Sequence, residues 1–123
     1  MSILQETVLV VDDTKINLVI LDDILKEKYI VALASNADIA LSILKNTRID
    51  IILLDIVMPN IDGFKFCKII KSDTNIKDIP IIFLSANDSV ENIEKAYTLG
   101  GVDYLTKPIK AKEILSCVKK FLT

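Results

Sequence analysis

Histidine is absent from this chain of 123 residues. A phosphohistidine carrier, a Ser-His-Asp hydrolase and a His-ligated metal enzyme each need an imidazole, so all three are excluded. Cysteine is scarce: Cys67 and Cys117 stand far apart and form no CxxC spacing, which leaves zinc and dithiol redox chemistry without ligands. No GxxxxGK phosphate loop occurs, which removes a P-loop ATPase. An excess of positive charge is also missing. With 15 Lys and Arg against 17 Asp and Glu, the net charge of -2 offers no basic surface for nucleic acid and no polybasic membrane patch.

Apolar runs are broken by charges before reaching the ~18 residues of a membrane-spanning helix, and MSILQET has neither the basic start nor the cleavage site of a signal peptide. The expectation is one cytoplasmic domain over residues 1–123, with no direct nucleic-acid binding and no membrane insertion.

What the chain does contain is a strict alternation. Short apolar runs at 8–11, 30–34, 49–54, 81–84 and 102–105 have strand length, and three are rich in Ile, Leu and Val without polar alternation. Strands of that kind are buried on both faces of a parallel sheet. Between and after them, 15–28, 37–46, 64–72, 90–99 and 111–122 carry helical spacing. Thr14 or Asp13, Asn36, and Ser89 or Asp88 are placed to cap the first, second and fourth helices, and Gly100 to end the fourth. Pro80 keeps the segment before the fourth strand from continuing as helix. The fold class is therefore α/β, a single (βα)5 doubly wound domain. The residues alone do not give the strand order.

Ligands of open α/β sheets bind beyond the carboxyl ends of the strands, and four of the five runs end in reactive side chains. The first ends in Asp12 and Asp13, the third in Asp55, the fourth in Ser85 and the fifth in Lys107 before Pro108. Two carboxylates ~4 Å apart repel by about 4 kcal/mol at an effective dielectric near 20, so three brought together need a counter-charge. Oxygen donors without His or Cys select Mg²⁺ or Mn²⁺ over zinc. Lys107 supplies a positive charge, Ser85 a donor for an oxyanion, and a central Asp can itself be a nucleophile.

Taken in order, VVDD at 10–13, LLDIVMPNIDG at 53–63, LSA at 84–86 and DYLTKP at 103–108 resemble the response-regulator receiver domains of two-component signalling, the CheY-like family. The spacings of 42, 30 and 22 residues between positions 13, 55, 85 and 107 carry the resemblance along essentially the whole chain. It implies a flavodoxin-like sheet of order 2-1-3-4-5 flanked by five helices. It further implies that Asp55 accepts a phosphoryl group from a partner's phosphohistidine. Mg²⁺ would be held by Asp13, Asp55 and the backbone carbonyl of Val57, with Asp12 acting through bound water. Ser85 and Lys107 would bind the phosphoryl oxygens, and the Lys107–Pro108 peptide would be cis.

The resemblance also implies a switch, in which Ser85 moves toward the phosphate and Tyr104 turns inward. That changes the face made by the fourth helix, fifth strand and fifth helix. The implied partners are a sensor histidine kinase or histidine phosphotransfer protein upstream and an effector or output domain downstream, with a phosphorylation-dependent homodimer as a further association. Such a domain catalyses only its own phosphorylation and dephosphorylation. Ser85 stands where Thr is commoner, and Ile61 where Met is usual. Asp62 and Gly63 read as turn chemistry.

A dehalogenase-like phosphatase would need a second Asp two residues after the first, where Val57 stands. On the first helix, Leu18, Leu21 and Leu25 share one face, while Ile20 and Ile24 lie nearly opposite beside Asn17. A helix apolar on both sides needs a second partner, and the resemblance implies that this partner is the phosphodonor, with Asn17, Ile20 and Ile24 as its docking residues.

Overall fold

The computed structural model describes residues 5–122. The expected alternation is present throughout: β1 (Thr7–Val11), α1 (Lys15–Leu25), β2 (Ile30–Ala34), α2 (Ala37–Asn46), β3 (Ile51–Asp55), α3 (Gly63–Lys71), β4 (Ile81–Ser85), α4 (Val90–Thr98), β5 (Asp103–Thr106) and α5 (Ala111–Leu122). All pairings are parallel and the sheet order is β2-β1-β3-β4-β5, the flavodoxin-like topology. From β1, inside the sheet, the chain passes to β2 at one edge and returns through β3 and β4 to β5 at the other. β1 and β3 are therefore neighbours, and their carboxyl ends meet where the strand order reverses.

Every residue of β1, β3 and β4 is buried, which accounts for the apolar runs VLVV, IILL and IIFL within them. Alternate side chains feed opposite faces. Leu9 and Val11 join a cluster with α2, α3 and α4 residues such as Ala40, Phe66 and Ala96. Val8 and Val10 join a second cluster with Leu18 and Leu21 of α1 and Ile114 and Val118 of α5. The sheet is thus covered by α2, α3 and α4 on one face and by α1 and α5 on the other.

Element ends differ from the expected ones where tertiary bonds decide them. α1 stops at Leu25, not at residue 28, because the Tyr29 N–H closes on the Leu25 carbonyl and the Ile30 N–H then pairs with Glu6 to begin β2. β3 begins at Ile51, since Asp50 is engaged with Thr7, donating to its carbonyl and accepting from its N–H. Asn36 and Ser89 cap α2 and α4 through their side chains, as expected. Thr14 occupies the N-cap position of α1 without a side-chain bond; its own N–H is donated to Asp12 Oδ1 at 2.9 Å. Gly100 follows α4 at φ +107, a conformation that costs glycine little.

Asp62 does more than make a turn: it caps α3 by accepting from the Lys65 N–H at 2.9 Å. Gly63 opens that helix against the end of β3. A Cβ there would lie 2.3 Å from the Asp55 carbonyl oxygen and 2.8 Å from Ile56 Cα, so only glycine permits the approach. No helix among the described residues is long and apolar enough to cross a membrane.

Candidate functional site

The carboxyl ends of β1, β3, β4 and β5 bring Asp12, Asp13, Asp55, Ser85 and Lys107 to one edge of the sheet. Asp55 ends β3 in register with Leu84 and is only 4% exposed; Asp12 follows β1 and is fully buried. Asp13 faces solvent. One carboxylate oxygen from each of the three aspartates lies within 4.8 Å of the others.

Lys107 reaches this cluster from just beyond the end of β5. Its N–H donates to the Ser85 carbonyl at 2.8 Å, which ties the end of β5 to β4, and the Lys107–Pro108 peptide is cis. The ammonium then lies 3.0 Å from Asp12 Oδ2 and 3.2 Å from Asp55 Oδ1.

One ammonium cannot neutralise three carboxylates. Burial, and then the charge of Asp12, hold the Asp55 carboxyl above the usual range, against the opposing pull of Lys107. Burial works against the Lys107 charge, yet its bonds to Asp12 and Asp55 outweigh this and leave its pKa raised. The donor set is all oxygen, clustered and partly exposed through Asp13, which fits a hard divalent cation such as Mg²⁺.

Ser85 is buried at the end of β4, and its Oγ accepts the Asn87 N–H at 3.0 Å. Tyr104 is half-buried on the side of β5 opposite Leu105, packed against the α2, α3 and α4 cluster. Its hydroxyl donates to the Asn87 carbonyl. Asn87 thus links Ser85 and Tyr104 through two backbone hydrogen bonds. Val57 stands on the β3–α3 loop with its side chain exposed. The preceding Ile56 carbonyl is taken by the Gly63 N–H at 2.7 Å.

The docking trio on α1 is divided by the structure. Ile20 is 47% exposed. Ile24 is half-buried and packs against the second core cluster. Asn17 is also half-buried and donates to Asp12 Oδ2 at 3.3 Å, so it serves the acidic cluster directly. Between α1 and the segment after β5 lies a cleft of about 410 Å³, largely apolar, where Ile20 and Asn17 face Pro108 and Ile109 with Asp12 and Lys107 at its inner end. Ile16 and Val19 add exposed apolar surface on α1.

Sequence reasoning did not single out Gly63 as a close contact, the bond from Asn17 to Asp12, or the bridging role of Asn87. An Asn one turn into a helix that follows paired aspartates is a usable signal for the second of these.

A doubly wound parallel domain that gathers three aspartates, a serine and a lysine at its carboxyl edge has the architecture of a receiver domain. The family described as the response regulator receiver domain matches residues 8–119, and the chain belongs to it. It is a signalling module of two-component systems.

The heme response regulator HssR of Staphylococcus saprophyticus is 39% identical over 111 residues, covering 90% of this chain and 48% of that protein. The chain therefore spans about half the length of this relative. Among solved structures, the chemotaxis protein CheY4 of Vibrio cholerae superposes with a TM-score of 0.92 at 28% identity, covering 97% of this chain and 100% of that one. A two-component response regulator from Clostridium difficile gives 0.89 at 31% identity, over 96% of each chain.

Proposed function

We propose that this receiver domain, over residues 1–123, accepts a phosphoryl group on Asp55 from a partner phosphohistidine. The partner is a sensor histidine kinase or a histidine phosphotransfer protein, and the exchange takes place in the cytoplasm. The carrying observation is Asp55 itself, a carboxylate 4% exposed at the end of a central strand, with an ammonium 3.2 Å away and two further carboxylates beside it. A carboxylate oxygen of Asp55 attacks phosphorus, the bond from phosphorus to the imidazole nitrogen breaks, and the departing imidazole takes up a proton. Lys107 and Ser85 then hold the phosphoryl oxygens.

Asp13, Asp55 and the Val57 carbonyl would hold Mg²⁺, or Mn²⁺, with Asp12 acting through water. When bound, the ion supplies positive charge to the carboxylates and the phosphoryl oxygens. Asp12 keeps a second task, since it receives Thr14, Asn17 and Lys107 together and fixes the end of β1.

The phosphodonor docks over the cleft beside Ile20, with Pro108 and Ile109 as its opposite wall. This reading keeps Ile20 of the docking trio, gives Asn17 a role inside the site, and assigns Ile24 to the core. Output runs from Ser85 through Asn87 to Tyr104, and so to the face of α4, β5 and α5. The bonds from Asn87 N–H to Ser85 and from the Tyr104 hydroxyl to the Asn87 carbonyl support that route. An effector, an output domain or a second copy in a phosphorylation-dependent dimer would read this face.

Incubation with acetyl phosphate and Mg²⁺, followed by intact mass, tests the proposal. One added phosphoryl group is expected, and none when a chelator replaces Mg²⁺ during the incubation. No addition with the metal present would overturn it.

A further inference from the structure

Beyond the pocket, one carboxylate is shared by three elements of the proposed output face. Asp103 opens β5, an edge strand, so its side chain can be reached from both faces of the sheet. From α4, whose Ala96 packs in one core cluster, the Tyr97 hydroxyl donates to Asp103 Oδ1 at 3.2 Å. The backbone N–H of Tyr104 donates to the same oxygen at 2.8 Å. From α5, whose Cys117 belongs to the other core cluster, the thiol donates to Oδ2 at 3.1 Å. A hydrogen bond to an ionised acceptor is about twice as strong as a neutral one, and bonds that share an acceptor group reinforce its position.

We infer that Asp103 is a positioning residue that couples α5 to α4 and Tyr104 around the sheet edge, so that a change starting at Asp55 reaches α5 through this carboxylate. The inference rests on the phosphoacceptor reading and adds its regulation. Without Asp103, α4 and α5 lie on opposite faces in separate apolar clusters, which slide more readily than hydrogen-bonded contacts do. Burial, and then the bond to Asp103, push the Cys117 thiol up to about 12, so it remains a protonated donor at neutral pH. The thiol is buried, and its part here is structural, not reactive.

The test uses the full chain with Mg²⁺ and beryllofluoride, following amide resonances at 85–87, in α4 and in α5. In the wild type all three groups should shift along one binding curve. Asp103→Asn keeps an acceptor oxygen but turns an amide toward the thiol. It should leave the shifts at 85–87 and in α4 intact while those in α5 fall about fivefold, the low end of usual coupling between sites. Tyr97→Phe, at an exposed side chain, should lower the α5 response in the same way, whereas Cys117→Ser, which keeps a donor, should preserve it.

Undiminished α5 shifts in both Asp103→Asn and Tyr97→Phe would overturn the coupling. So would a wild type whose residues 85–87 respond while α5 stays still, and in that case the phosphoacceptor reading survives. A wild type with no response at 85–87 would overturn that reading, and this inference with it.

Discussion

The ammonium of Lys107 lies 3.2 Å from an Asp55 carboxylate oxygen. Lys107 also reaches Asp12, and it is the cation paired with these two buried carboxylates. Replacing it by Ala should therefore cost stability as well as phosphorylation. Breaking a fully buried pair costs 3–5 kcal/mol as a rule; with the lysine side chain 23% exposed, about 2 kcal/mol is expected. Urea unfolding without divalent ions measures this, and added Mg²⁺ should recover part of the loss. An unchanged midpoint would mean that the lysine does not balance the site.

The raised pKa of Asp55 fixes the sign of a pH effect. Between the ordinary value of 3.8 and the higher folded value, the native state binds more protons than the unfolded one, so stability falls as pH rises through that window. Above the folded value the penalty is complete and constant. Asp55→Asn removes it, so in chelator the variant should match wild type at low pH and exceed it at neutral pH. A variant less stable than wild type at neutral pH contradicts the repulsion.

Metal should reverse that order. Binding to the native state alone adds RT ln(1 + [L]/Kd), about 2.7 kcal/mol when free Mg²⁺ is a hundred times Kd. Thermal unfolding in Mg²⁺ against chelator should show this gain for wild type and lose most of it in Asp13→Ala. Equal gains in both would remove Asp13 from the ligand set.

Gly63→Ala should disturb the site from behind. The added Cβ meets backbone atoms of Asp55 and Ile56, which cannot move aside as a side chain can. A loss of about 1–3 kcal/mol, typical of overpacking, is expected together with slower phosphorylation by acetyl phosphate.

The two isoleucines of α1 should behave differently. Ile20→Glu, at an exposed wall of the cleft, should slow transfer from a phosphohistidine partner while leaving the acetyl phosphate rate alone. Ile24→Glu places a carboxylate against the second core cluster and should destabilise the fold by about 1–3 kcal/mol. Equal slowing from both donors by Ile20→Glu would sink the docking site.

That contrast marks the limit of what the sequence disclosed. β1, β3 and β4 were legible because burial on both faces leaves unbroken apolar runs at 8–11, 51–54 and 81–84. The gathering of Asp12, Asp13, Asp55, Ser85 and Lys107 was legible because a parallel topology sends every strand's carboxyl end to one edge. Helical spacing put Ile20 and Ile24 on one apolar face, but it carries no information about the tertiary packing that draws Ile24 onto the second core cluster and leaves Ile20 open. The bonds made by Asn17, Asn87 and Asp103 escaped notice for the same reason: each depends on a partner 5, 2 or 14 residues away whose approach is set by the assembled sheet.

The most direct measurement is the position of the phosphoryl group. After acetyl phosphate treatment with Mg²⁺, peptide mass mapping should locate one acyl phosphate at Asp55, and Asp55→Asn should carry none. A phosphoryl group on Asp12 or Asp13 in the wild type, or an Asp55→Asn variant modified to the same extent, would contradict the assignment.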